Sequence, residues 1–233
     1  MDRHVDCQPL RASSNDHKGD LAHIQTQLCQ VGRDTMNLVI ITGMPGAGKS
    51  ELAQIFRDAG FPVIVMGDVI REESRRRGLE ANPESTKKVM LDLREREGPG
   101  AIAIHCLDEL KTHTSPTVVI EGCRSVAEVE VFEQYAESVT IVCIHSSPIT
   151  RFARLCQRGR EDAPPEWSGF RERDLREISV GLGGVIALSD IMLINEGSIE
   201  VLYKSGRRIV ARFQKDANHR AKPRVSDRRS RTS

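Results

Sequence analysis

Short apolar runs alternate with amphipathic stretches along most of the chain. Leu38-Val39-Ile40-Ile41-Thr42 is a continuous apolar run rich in β-branched residues, which predicts a strand buried on both faces. The period then switches to helical over Glu51 to Ala59, where Leu52, Ile55 and Phe56 share one face. The same alternation continues with strands predicted at Phe61 to Met66, Thr117 to Ile120, Val139 to Ile144 and Ile191 to Ile194. Helices are predicted at Val69 to Arg77, Pro83 to Glu97, Ala101 to Lys111, Val126 to Tyr135, Pro148 to Gln157, Trp167 to Ile178 and Ser198 to Phe213. Gly98-Pro99-Gly100 separates two of these helices, and Gly206 weakens the last. Short buried strands separated by helices predict an α/β fold: a parallel sheet flanked by helices, with right-handed crossovers. In such a sheet, ligands sit at the carboxyl ends of the strands.

The ends of the chain break this pattern. Residues 1–35 are polar and mixed, with only Leu21 to Val31 hinting at an amphipathic helix, and are expected to form a disordered extension. Met36 stands directly before the first strand, so translation starting there and a genuine flexible arm are both open readings. From Gln214 the chain is polar and basic and reads as a solvated tail over 214–233. The body is therefore expected at 36–213.

The chemistry begins at Gly43-Met44-Pro45-Gly46-Ala47-Gly48-Lys49-Ser50, a complete G-x-x-x-x-G-K-[ST] between a predicted strand and a predicted helix. The glycines let successive backbone N–H groups turn inward around phosphates. The helix N-terminus adds partial positive charge. Lys49 is placed to reach the outer phosphates and Ser50 to ligate Mg²⁺. The motif predicts a P-loop nucleoside triphosphate hydrolase fold binding ATP with Mg²⁺.

Composition narrows the partners. The 233 residues suffice for one sizeable core, and a formal net charge of +1 provides no global field for nucleic acid. Cys7, Cys29, Cys106, Cys123, Cys143 and Cys156 form no C-x-x-C and no zinc spacing, which fits free thiols in a reducing cytosol and a cytoplasmic protein. No apolar run approaches the ~20 residues of a membrane span.

Further candidates lie near predicted strand ends. Glu121 follows Val118-Val119-Ile120 and is a candidate for the Mg²⁺ shell, through water, or for activating an acceptor. Asp68 follows the second strand, with Arg71 one turn later, as a candidate acceptor grip; a plain surface ion pair is the competing reading. Arg124 is expected to point at the same acceptor pocket. Arg151, Arg154 and Arg158 share a helix face with no acid before Glu161, so an anion such as a triphosphate is expected to compensate them. With Arg160, Arg171, Arg173 and Arg176 they suggest a short lid over about 156–172. A single-stranded nucleic-acid groove would need more interleaved aromatics than Trp167 and Phe170.

These residues resemble nucleoside monophosphate kinases and dephospho-coenzyme A kinase. Ile-Thr-Gly-Met-Pro-Gly-Ala-Gly-Lys-Ser, Val-Met-Gly-Asp-Val-Ile-Arg-Glu, Arg-Glu-Arg-Glu-Gly-Pro-Gly-Ala and Val-Ile-Asn-Glu-Gly are more closely similar to an archaeal family whose members are often called adenylate-kinase-related or dephospho-coenzyme A kinase-like proteins. The resemblance runs from about Met36 to Arg212. It implies that Gly67-Asp68 and Arg71 meet an acceptor phosphate within a helical insertion at about 69–115. Glu121-Gly122-Cys123-Arg124 is similar to an Asp-Gly-Phe-Pro-Arg stretch, with Glu for Asp and one residue fewer. Arg154 and Arg158-Gly159-Arg160 resemble the start of a kinase lid. Asp190 through Asn195-Glu196-Gly197 resembles a stretch near the adenine site, which makes Asn195 and Gly197 candidate nucleotide contacts.

The expected activity is ATP- and Mg²⁺-dependent transfer of the γ-phosphoryl group to a small-molecule, nucleotide-like acceptor. Lys49, Asp68, Glu121, Arg124, Arg154 and Arg158 carry the chemistry in this reading. A regulatory or switch ATPase with a protein or RNA partner is the alternative.

Overall fold

The computed structural model describes residues 36–80, 82–158 and 166–221. Residues 1–35 and the end of the basic tail, 222–233, lie outside the described residues, as do 159–165 of the expected lid.

Five parallel strands form one sheet: β1 (Asn37–Thr42), β2 (Val63–Val65), β3 (Thr117–Glu121), β4 (Ser138–His145) and β5 (Ile191–Ile194), in the order β2-β3-β1-β4-β5. Strand β1 is central, paired on one side with β3 and on the other with β4. The chain fills one half of the sheet and then the other, so the carboxyl end of β1 is the switch point at which such folds open a crevice. The P-loop leaves β1 there.

The helices are α1 (Lys49–Asp58), α2 (Met66–Arg76), α3 (Pro83–Glu97), α4 (Ala101–Leu110), α5 (Val126–Tyr135), α6 (Pro148–Arg158), α7 (Trp167–Val180), α8 (Leu182–Ala187) and α9 (Ile199–Ala221). One face of the sheet presents Val39, Ile41, Val119, Val142 and Ile144 to Leu52, Ile55 and Phe56 of α1 and to Ile209 and Val210 of α9. Leu38, Ile40, Val118 and Ile120 alternate with them and are fully buried. Helices α4 and α5 pack against each other and onto β2 and β4 respectively. Both faces of the central strands are thus covered, which is why β1 and β3 read as continuous apolar runs, whereas edge strand β5 leaves Met192 and Ile194 exposed. Among the described residues, no helix is long and apolar enough to cross a membrane. Cys106, Cys123 and Cys143 are buried free thiols and Cys156 is exposed.

Several elements differ from the sequence expectation. Strand β2 ends at Val65, and Met66 already begins α2. Its neighbour β3 ends opposite it, at Glu121, so no ladder partner exists beyond Val65. Asp68 therefore lies in the first turn of a helix and does not end a strand. Helix α9 runs on to Ala221, past Phe213, because no glycine or proline interrupts the chain before Pro223; this corrects the expected start of the tail at 214. Helix α8 was not expected; its Gly184 packs so close to α5 that a Cβ would lie 2.9 Å from Val126 Cγ2. The helix expected over Trp167 to Ile178 extends, as α7, to Val180 before Gly181 turns the chain.

Candidate nucleotide-binding site

The P-loop forms where the sequence places it. Ala47 N donates to Met44 O at 3.1 Å, closing a turn inside the loop. Gly48 has φ +109°, in the left-handed region where a side chain is strained, and a Cβ there would lie 2.6 Å from Asn195 Nδ2. Thr42 Oγ1 donates to Cys123 O at 3.0 Å, and Gly122 N donates to Ile41 O at 3.1 Å. These bonds join the carboxyl ends of β1 and β3 and hold Glu121 beside the first turn of α1.

Ser50 Oγ donates to Glu121 Oε1 at 2.8 Å. The side chains of this pair, 71 residues apart, offer hard oxygen ligands of the kind Mg²⁺ takes. Mg²⁺ retains most of its shell as water and substrate phosphate, so two protein oxygens are a suitable number. Among the described residues, no group of three or more His, Cys, Asp or Glu could hold a metal by itself.

Lys49 Nζ donates to the carbonyls of Gly43 at 2.8 Å and Met44 at 3.3 Å. Burial, then the charge of Arg124, lowers its pKa from 10.5 to about 8; Arg173 adds to the fall, while Glu121 and Glu177 oppose it. An ammonium in this setting is favoured by any anion brought to it, so the residues fit a polyphosphate. Arg124 pairs with Glu177 of α7 at 3.1 Å. The sequence places Arg124 in the acceptor pocket; the structure puts it within electrostatic reach of Lys49 and partners it with an acid that sequence reasoning missed. Glu177 sits among mixed charges on α7, and nothing in the local pattern separates it from Glu172.

A cavity of about 290 Å³ adjoins the loop, lined by Gly46, Gly48 and Glu51 on one side and by Arg154, Arg158 and Asn195 on the other, with Gly197 at its rim. Arg154 donates to Ser146 Oγ and to Asn195 O, both at 3.0 Å. Asn195 is buried, and its Nδ2 donates to Ala47 O at 2.8 Å. Its amide thus braces the P-loop, while Arg154 and the backbone around Gly197 face the cavity.

The expected anion between Arg151, Arg154 and Arg158 is corrected in two places. Arg151 is buried in a two-bond pair with Asp174 of α7. Arg158 lies 3.6 Å from Glu51 in the first turn of α1. The partners come from other helices, so no local acid could reveal them. Arg154 instead bonds to Ser146 and Asn195 and acts through its charge on Glu196. Asp190 is also corrected: its Oδ2 accepts from Ile141 N at 2.7 Å, at the amino end of β5 and away from the cavity. Asp68 and Arg71 bond to each other on an exposed face, with Arg71 Nε 3.0 Å from Asp68 Oδ1. The aromatics Trp167 and Phe170 pack with Phe152, at ring distances of 5.2 and 5.4 Å, and tie α7 to α6.

Comparisons with known proteins agree with this geometry. A family model described as AAA domain matches residues 42–167. A solved structure, TT1252 from Thermus thermophilus, superposes with a TM-score of 0.55 at 17% identity, covering 76% of this chain and 97% of that one, and shares the fold. A UPF0200 protein of Methanocaldococcus jannaschii is 45% identical over 71% of this chain and 84% of its own length. Another, from Hyperthermus butylicus, is 45% identical over 76% of this chain and 94% of its own length, and the chain belongs to the UPF0200 family, with a nucleotide-binding P-loop domain as its body.

Proposed function

We propose that the protein transfers the γ-phosphoryl group of ATP to a small nucleotide-like acceptor, a nucleoside monophosphate or a dephospho-coenzyme A-like molecule. The observation that carries this reading is the Ser50–Glu121 pair beside the half-buried Lys49 at the mouth of a complete P-loop. Lys49 and the loop amides hold the phosphates, and the cavity beside Gly48 takes the nucleoside. Ser50, and Glu121 through water, would hold Mg²⁺, which when bound would neutralise charge on the phosphate oxygens. Arg124 and Arg173, already acting on Lys49, stabilise charge on the transferring group, and Arg154 and Arg158 do so from the cavity side. Asp68 and Arg71 grip the acceptor. In the transfer, the acceptor oxygen bonds to the γ-phosphorus, the bond to the β,γ-bridging oxygen breaks, and ADP leaves. The acceptor's proton goes to a nearby carboxylate, Glu121 or Asp68, or to water.

A second reading, a regulatory ATPase, draws on the charge pairing. Arg124 with Glu177 and Arg71 with Asp68 already have partners, which leaves fewer cations for an acceptor phosphate. Product analysis separates the two. A screen of small metabolites for ATP consumption is expected to find one that is phosphorylated mole for mole with ADP formed. Inorganic phosphate as the sole product with every candidate would overturn the kinase reading.

A further inference from the structure

We infer that Arg151 and Asp174 are positioning residues for the P-loop, and that α7 sets the loop's shape through them. Arg151 NH1 donates to Asp174 Oδ1 at 2.8 Å and NH2 donates to Asp174 Oδ2 at 2.6 Å. The same guanidinium reaches the loop itself: NH1 also donates to Pro45 O at 3.1 Å. Nε donates to Ser146 O at 3.1 Å, at the carboxyl end of β4. Its fourth neighbour is the Phe170 ring, 4.9 Å from Cζ to the centroid.

A charge this deeply buried needs a reason. The side chains of Arg151 and Asp174 are 3% and 4% exposed, and taking both from water is costly even when they pair. An apolar contact between α6 and α7 would serve packing as well, and Phe152, Trp167 and Phe170 already supply one. What an apolar pair could not do is hold a loop carbonyl. Arginine's planar fork can satisfy a carboxylate on one edge and carbonyls on the other in one fixed geometry. The backbone agrees: Gly46 has φ +81°, and a Cβ there would lie 2.9 Å from Arg151 O and 3.2 Å from Arg151 Cβ. The middle of the loop is therefore pressed against the first turns of α6 and bonded to the guanidinium at Pro45. Helix α7 then touches the site three ways within two turns. Arg173 acts on Lys49, Asp174 acts on Pro45 through Arg151, and Glu177 holds Arg124.

The inference rests on nucleotide binding by the P-loop and is independent of whether an acceptor is phosphorylated. The test compares wild-type protein with the double replacement Arg151→Met/Asp174→Leu, reading melting temperature without nucleotide and Kd for ATP with Mg²⁺ by calorimetry. Removing both charges together leaves no buried charge unpaired, and such exchanges are often neutral to stability. The expected result is a melting temperature within about 4 °C of wild type and a Kd raised roughly tenfold. A pair that merely supported packing would leave Kd unchanged. A second variant, Arg151→Lys, keeps the buried positive charge, but one ammonium cannot reach Pro45 O, Ser146 O and both carboxylate oxygens together. It is expected to raise Kd as well, and it decides the matter if the double variant does not melt cooperatively. A rise beyond threefold supports the inference. A Kd within threefold of wild type overturns it alone, and a wild-type titration without binding overturns it together with the nucleotide site.

Discussion

Ser50 Oγ lies 2.8 Å from Glu121 Oε1, joining the first turn of α1 to the last residue of β3. Neither residue has a reason to meet the other except the order of strands in the sheet. Since β3 is the immediate neighbour of β1, its carboxyl end falls beside the loop that β1 feeds. The pair puts a hydroxyl and a carboxylate together at the end of the P-loop.

Glu121→Gln keeps the hydrogen-bonding shape and removes the charge. Turnover is expected to fall by about 10²-fold, since loss of a group stabilising developing charge costs ~2.7–4 kcal/mol. Nucleotide affinity without Mg²⁺ should change little. Kinetics over a Mg²⁺ titration check this, and an unchanged Mg²⁺ dependence would remove Glu121 from the metal's shell.

ATP with Mg²⁺ should stabilise the fold. At ~100 times its Kd a ligand adds ~2.7 kcal/mol, which for a domain of this size raises the melting temperature by about 5–10 °C. Lys49→Ala is expected to abolish most of the rise in a thermal-shift measurement. An equal rise in the variant would place the nucleotide elsewhere.

The lowered pKa of Lys49 makes stability depend on pH. Between about 8 and 10.5 the unfolded chain holds the Lys49 proton more tightly than the folded one, so this group's contribution to stability rises with pH across that window. Lys49→Met should therefore melt above wild type at pH 7, with the gap narrowing as pH climbs through 8. Bound phosphates favour the ammonium, so nucleotide binding near pH 8 should take up protons. Calorimetry in two buffers of different ionisation enthalpy measures the uptake, and none at pH 8 would contradict the assignment.

Arg158 and Arg71 should differ kinetically. Arg158 lines the nucleotide cavity, whereas Arg71 lies on exposed α2 with Asp68. Arg158→Ala is expected to cut acceptor-free ATP hydrolysis far more deeply than Arg71→Ala, and Arg71→Ala to act mainly on acceptor KM. Equal losses of acceptor-free hydrolysis would assign Arg71 to the nucleotide side and favour the regulatory ATPase.

Gly206 is buried where α9 packs on α1, and a Cβ would lie 2.6 Å from Ile55 Cδ1 and 3.1 Å from Leu52 Cδ1. An alanine could be met by a shift of the Ile55 tip and gains helix propensity. Gly206→Val would overpack the contact at a cost of about 1–3 kcal/mol. Its melting temperature should drop by several degrees while that of Gly206→Ala stays near wild type. A valine variant as stable as wild type would show that the two helices are free to separate.

The local pattern alone determined the elements and the loop. Short apolar runs rich in β-branched residues fit strands, and G-x-x-x-x-G-K-[ST] between strand and helix specifies a phosphate cradle, so β1, α1 and Lys49 were legible without a structure. Glu121 was legible as a strand-end acid, because strand ends in a parallel sheet face the crevice. Pairing across the fold was not legible. The arginine row on α6 predicts an anion because no acid lies within a helical turn, yet Arg151 meets Asp174 and Arg158 meets Glu51, from helices distant in sequence. Charge compensation acts through space, and one chain's local order does not carry it. Asn195 reads from sequence as a candidate nucleotide contact, and only the packing adds the bond from its amide to Ala47 O at the wall of the cavity. Where strands end was decided by their neighbours: β2 stops at Val65 because β3 stops beside it, which moved Asp68 from a strand end into a helix.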